Sequence, residues 1–401
     1  MGGRIMIKNI KYFDDDMQHG INYDWALIKK EFDKLGIPDN VVNPFLIHKL
    51  ECGKWVVDMS ERSIGKTTNW LLLGMVMNKL YGTTACYIRQ RTDMIMPKHS
   101  ASLFKTIVEF DYISKITEGK YNFYKYKSRQ WFYWNSETDE MAIDPFMYSL
   151  SIEDNALNKS SFNAPRGDLC IYDEFISRYN YQNEFVDFCD TLKTIIRERD
   201  SALIVLLANT INQHHNYFNE LGIYKEIQEM KINEKRTVIT AGGTHVDIAL
   251  LGTKLSDMPI HRQKHNAKFF GFRNPLLNSI RGGDWAIKMY PHCPKIDSRC
   301  ICRNRYIKTN GYFINLELHD SEELGLFVKC HIANKTYDDS IIYNMDLEIK
   351  SKNYRYKFGK SKMDKVFLDL LNQNKWFYAS NLEGSLIDNY VQNAQRKRIF
   401  D

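Results

Sequence analysis

The stretch Ser60–Trp70, SERSIGKTTNW, decides how the rest of the chain reads. Ile64-Gly65-Lys66-Thr67, followed by Thr68, carries the working half of a phosphate-binding loop. Such a loop needs backbone N–H groups converging on phosphate at a helix N-terminus, a lysine for the β and γ phosphates, and a hydroxyl for Mg2+. Its start departs from the pattern, because Ser60 and Ser63 stand where these loops often carry glycine. The context is the one the motif requires: KWVVDM before it reads as a short strand, and TTNWLLLGMVMNKLYG after it reads as a helix ending near Gly82.

Working outward, TACYIRQ, DLCIYDE (Asp168–Glu174) and SALIVLLAN (Ser201–Asn209) read as further strands, and NEFVDFCDTLKTIIRERD as a helix between the last two. Continuous apolar strands alternating with helices predict a parallel sheet covered on both faces, an α/β nucleotide-binding architecture. Within it, Asp173-Glu174 ends an apolar strand about a hundred residues after the loop. At that place in P-loop NTPases the first carboxylate holds the Mg2+ shell, and an adjacent second one can polarise the attacking water. The predicted site is therefore Ser63, Ile64, Gly65, Lys66, Thr67 and Thr68 of the loop with Asp173, Glu174 and Asn209, and its cofactors are ATP and Mg2+ held by Thr67 and Asp173. Phosphoryl transfer also builds charge on the γ-phosphate oxygens, which calls for arginine. Arg62 sits inside the loop, and Arg197 and Arg199 end the helix after the acidic pair.

Composition sets the frame. The 401 residues are 44% hydrophobic and 26% charged with net charge +6, which is ordinary for a globular chain of two domains. The longest apolar run, Trp70–Met77, is far short of the ~20 residues that span a bilayer, so no membrane association is expected. Eight scattered cysteines favour reduced thiols over a disulfide framework, and His292, Cys293, Cys300 and Cys302 lack the spacing of a zinc site.

The segments SERSIGKT, CYIRQR, KSSFNAPRGDLCIYDEFI, NEFVDFCDTLKTIIRERD and LLANT together resemble, in order, the DNA-packaging ATPases of phi29-like tailed phages. The resemblance spans roughly residues 55–215. It implies an ASCE/RecA-like P-loop ATPase in which Lys66 is the phosphate lysine, Thr67 the Mg2+ hydroxyl, Arg62 the basic residue within the loop, and Asp173 the metal-coordinating acid. Glu174 then matches the catalytic glutamate, Arg197 the trans-acting arginine, and Asn209 the coupling asparagine. It further implies a homomeric ring, commonly a pentamer, on the portal of an empty prohead, translocating double-stranded DNA, with a small structural RNA as a further partner. Such a protein works in the cytoplasm of the infected host, transiently on the prohead, and is absent from the mature virion.

The remaining chain is read as a 1–50 N-terminal extension packed on an ATPase domain of residues 51–244, a linker at 245–285, and a C-terminal domain at 286–401. Between Lys120 and Ser149 an aromatic β-hairpin or meander with a turn near 135–139 is expected. In the C-terminal part, GYFINLELH, LGLFVKCHI and SIIYNMDLEI read as three antiparallel strands followed by two helices, a small α+β domain. Its resemblance is to the RNase H-like nuclease of terminase large subunits. Two-metal cutting needs several convergent carboxylates. Asn315, Glu317 and Asp346 form no obvious cluster, so a vestigial domain that holds nucleic acid with basic segments such as Lys350–Lys362 and Arg396–Arg398 is expected. The alternatives are a helicase, a cutting terminase, or a nucleic-acid-binding scaffold with a non-hydrolysing site.

Overall fold

In a computed structural model of the chain, the described residues are 20–38, 41–61, 64–100, 102–157, 164, 166–177, 184–210, 212–252, 268, 289–344, 353–356, 358 and 361–394. The first sheet is built from β1 (Trp55–Ser60), β2 (Ala85–Arg89), β3 (Phe123–Lys127), β4 (Gln130–Trp134), β5 (Met147–Ser151), β6 (Leu169–Asp173), β7 (Leu203–Asn209), β8 (Glu234–Ile239) and β9 (His245–Leu251). Their order is β3-β4-β5-β2-β6-β7-β1-β9-β8. The run from β5 to β9 is parallel throughout, and β4, β3 and β8 pair antiparallel at the two edges. Because β7 lies between β1 and β6, the loop after β1 and the acidic end of β6 are separated by one strand whose last residue is Asn209.

Burial explains why the central strands β1, β2, β6 and β7 are largely continuous apolar runs. One face of the sheet packs against the helix Lys66–Tyr81, in which Trp70 to Met77 are essentially inaccessible. That helix is apolar all round because it has a second roof: Ile28 and Phe32 of the helix Trp25–Asp33, with Ile107, Ile113 and Ile116. Gly74 lets it sit close to the sheet, since a Cβ there would lie 2.8 Å from the Ala85 side chain. The opposite face is covered by the helix Glu184–Ile196 through Phe188, Leu192 and Ile195, together with Tyr217 and Phe218. Each such buried side chain contributes about 1.5–3 kcal/mol over leaving it exposed.

The second sheet comprises β10 (Arg299–Thr309), β11 (Tyr312–Ser321), β12 (Gly325–Ala333), β13 (Ile341–Asn344), β14 (Tyr354–Arg355) and β15 (Trp376–Tyr378), ordered β14-β13-β10-β11-β12-β15. The helices Lys362–Asn372 and Asn381–Ala394 cover one face with Phe367, Leu370, Leu386, Ile387 and Tyr390. Asparagine side chains join the two sheet units. Asn389 and Asn310 donate to the His214 carbonyl oxygen at 2.9 and 3.3 Å, and Asn219 donates to Asn310 at 2.7 Å.

Three sequence expectations need correction. His245–Leu251, assigned to the linker, is the strand β9 paired with β1, so the first sheet extends to Leu251. The five β9 residues Val246–Leu250 are buried, and only His245 and Asp247 interrupt the apolar character. The aromatic segment is a meander, β3-β4-β5, with a tight turn at Ser128-Arg129, both with positive φ, and the broader turn at 135–139 between β4 and β5. Finally, the second sheet starts one strand earlier than expected. RCICRNRYIKT (β10) is polar on both sides near its start, GYFINLELH is the second strand, and β13, expected as the third of three antiparallel strands, pairs parallel with β10. Most of residues 253–288, Asp346, much of Lys350–Lys362, and Arg396–Arg398 lie outside the described residues.

Candidate nucleotide site

The loop after β1 leads into the helix Lys66–Tyr81 through Gly65, which adopts φ +74° and carries no side-chain cap for the helix. A non-glycine residue there would be strained by about 1–3 kcal/mol. The first-turn N–H groups thus face outward without a capping side chain, the arrangement that receives an anion. Lys66 Nζ donates to Asn209 Oδ1 at 2.7 Å. The lysine and the end of β7 are therefore in direct contact.

Thr67 Oγ1 lies 3.2 and 3.3 Å from the two oxygens of Asp173. A hydroxyl and a carboxylate converging beside a helix N-terminus form a hard, all-oxygen donor set. This suits Mg2+, which takes one or two protein ligands and fills its octahedron with phosphate oxygens and waters. No cluster of three or more His, Cys, Asp or Glu suited to a metal exists among the described residues. Burial pushes the Asp173 carboxyl above the usual range, partly offset by Arg89. A cation held there would reverse that shift.

Tyr87 and Arg89, both on β2, surround Asp173. Tyr87 donates to Asp173 Oδ2 at 3.0 Å, and Arg89 donates to Asp173 Oδ2 at 3.4 Å and to Glu174 Oε2 at 2.5 Å. Burial disfavours the Arg89 charge, but Tyr87, Asp173 and Glu174 outweigh it and raise its pKa. Glu174 itself has positive φ and a side chain 54% exposed at the mouth of the site. A cleft of about 490 Å³ opens here, lined by Thr67, Thr68, Tyr87, Arg89, Met94 and Asp173 among others. Arg89 was missed as a site residue; the signal was in CYIRQR, an arginine closing an apolar strand next to the acidic one.

The two helix-end arginines separate cleanly. Arg199 is buried: its Nε donates to Asp168 Oδ1 at 2.8 Å, and its Nη2 to the carbonyls of Ile195 and Gly167 at 3.1 and 3.3 Å. Asp168 also accepts from Tyr23 and Ser201, each at 2.7 Å. Arg197, with φ +56°, is exposed on the surface. Ile64, Gly65, Lys66, Thr67, Thr68, Asp173, Glu174 and Asn209 thus come together, Arg197 stands apart on the same subunit, and Arg62 and Ser63 lie outside the described residues.

The fold is similar to that of a phage DNA packaging motor. The Phi-28 gp11 DNA packaging motor aligns with 90% of this chain and 100% of its own at TM-score 0.52 and 14% identity. The bacteriophage Phi-29 viral genome packaging motor assembly aligns over 88% and 100% at 0.49 and 14%, and the HK97 bacteriophage large terminase over 70% and 58% at 0.36 and 10%. No protein-family model and no curated protein matches. At such identities the likeness speaks for the fold alone, and it rests on the first of the three. No helix among the described residues is long and apolar enough to cross a membrane.

Proposed function

We propose that this chain is an ATP-hydrolysing motor that moves double-stranded viral DNA into a prohead as a homomeric ring. The observation that carries the reading is the convergence of Lys66, Thr67, Asp173 and Asn209 at one helix N-terminus, within a packaging-motor fold. Lys66 and the first-turn N–H groups bind and orient the triphosphate. Thr67 and Asp173 would hold Mg2+, which would neutralise phosphate charge when bound. Glu174 accepts a proton from the attacking water, and Arg62 and Arg197 meet the γ-phosphate charge, Arg197 from a neighbouring subunit. The contact of Asn209 with Lys66 supports reading it as the residue that senses the γ-phosphate.

The C-terminal domain is read as a nucleic-acid-holding domain without cutting activity. Its β10 carries three arginines and a lysine and not one carboxylate, so the strand that begins its sheet offers no metal ligand of that kind. Portal, prohead and a structural RNA are the partners of this reading, and a pentamer its ring. DNA-stimulated ATP turnover tests it: the unmutated chain hydrolyses ATP and fails to nick plasmid DNA in Mn2+. Plasmid cutting would instead favour an active terminase, and absence of turnover a binding scaffold.

A further inference from the structure

The segment Val41–His48 belongs to the N-terminal extension, to which no role attaches in the reading above. Its contacts converge on Ile64, Gly65 and Asn69, where the phosphate loop passes into the helix that follows it. Val42 N–H donates to the Ile64 carbonyl at 2.8 Å, and the Asn69 side-chain amide donates to the Val42 carbonyl. Asn69 N–H in turn donates to the Gly65 carbonyl at 3.0 Å. These three hydrogen bonds close a circuit around Gly65, and Val42 and Asn69 are both 3% exposed. Val41 presses on the same residue: a Cβ at Gly65 would lie 3.2 Å from Val41 Cβ.

The segment is also fixed at its far end. His48 Nε2 lies 2.5 Å from Asp58 Oδ1, and Trp70 Nε1 donates to Asp58 Oδ2 at 2.6 Å, all buried. Asp58 is in β1 and Trp70 in the helix after the loop, so the elements flanking the loop are tied to one another and to the segment. Between these anchors, Asn43 caps the short helix Pro44–Ile47 and shapes the segment's turn.

We propose that Val41–His48 is a brace that sets the conformation of the phosphate loop, with Asn69 as its positioning residue. The brace holds from outside the loop a backbone conformation that glycines within a loop only permit. Its effect on nucleotide affinity rests on the ATP reading; its effect on the loop does not. A side-chain amide donating to a buried carbonyl carries this coupling, and its loss leaves that carbonyl unpaired.

Hydrogen–deuterium exchange and MgATP calorimetry on the full chain test the brace, using Asn69→Ala and the milder Val41→Ala. Asn69→Ala is expected to raise amide exchange at Val42 and residues 64–69 about tenfold while the amides of β2 and β6 stay protected. It is also expected to weaken MgATP binding about tenfold and raise KM with kcat at saturation largely kept. Val41→Ala shows the same pattern with a smaller amplitude. Unchanged exchange around Gly65 in both variants, with MgATP binding intact, overturns the brace alone. A uniform rise in exchange across the sheet overturns it too, since that marks general destabilisation. Failure of the unmutated chain to bind MgATP overturns the nucleotide reading and, with it, the brace's role in affinity.

Discussion

Arg197 and Arg199 stand two residues apart, and the structure gives them opposite fates. Arg199 is 6% exposed and its partner Asp168 2% exposed, with a 2.8 Å contact between them. Replacing Arg199 by alanine strands a buried carboxylate, which typically costs about 3–5 kcal/mol. Tyr23 and Ser201 still donate to Asp168, so the lower end, about 3 kcal/mol, is expected. With a urea dependence of about 3 kcal/mol per molar for a chain of this size, the unfolding midpoint falls by about 1 M. Arg197→Ala alters an exposed side chain and should change stability by less than about 0.5 kcal/mol. Urea titration followed by tryptophan fluorescence reads both. Its counterpart is ATP turnover by the assembled motor, which Arg197→Ala abolishes and which mixing with Lys66→Ala subunits partly restores. A midpoint shift under 0.3 M for Arg199→Ala would refute the assignment of Arg199 to structure. Absence of rescue at any ratio, with co-assembly demonstrated, would refute the trans role of Arg197.

Other consequences follow from the same geometry. Lys66→Ala is expected to lose MgATP binding, whereas Glu174→Gln binds normally and turns over at least a hundredfold more slowly; normal turnover in Glu174→Gln would reassign the base. Because burial raises the Asp173 carboxyl and Arg89 opposes that shift, protons compete with Mg2+ at higher pH than for an exposed carboxylate. The Mg2+ requirement should therefore rise as pH falls, and Arg89→Met should move that rise to still higher pH; a pH-independent Mg2+ requirement would count against Asp173 as the ligand. Burial lowers His215 to about 3 and His214 to about 4, against ~6.5 when unfolded. Both are therefore neutral when folded, and the unfolded chain takes up protons first. Their contribution is fully present above pH ~6.5 and is lost towards pH 3–4, at about 1.4 kcal/mol per pH unit for each histidine. The His215→Gln variant should flatten the slope of urea stability against pH by one proton.

Much of the first sheet is legible in the sequence because its central strands are buried on both faces and so spell uninterrupted apolar runs. The same physics makes Asp173-Glu174 and Asn209 visible, as polar residues closing such runs. What the sequence conceals is pairing. CYIRQR places an arginine at a strand end, but only the β2–β6 neighbourship brings Arg89 to both acidic residues. Likewise IRER offers two arginines of equal appearance, and only the fold buries one of them against Asp168. β9 and β10 are interior strands that reveal themselves by their hydrogen-bonded neighbours. The role of the N-terminal segment depends on contacts between residues 41–48 and 58–70, which no local pattern encodes.

The central claim is that nucleotide hydrolysis at Lys66, Thr67 and Asp173 drives DNA movement. The most direct measurement is protection of double-stranded DNA from added nuclease, with empty proheads of the matching phage, the purified chain, ATP and Mg2+. The account predicts ATP-dependent protection of full-length DNA that vanishes in Lys66→Ala and in Glu174→Gln. Protection that persists in both variants, or ATP turnover with no protection under any prohead and DNA combination that assembles, would contradict it.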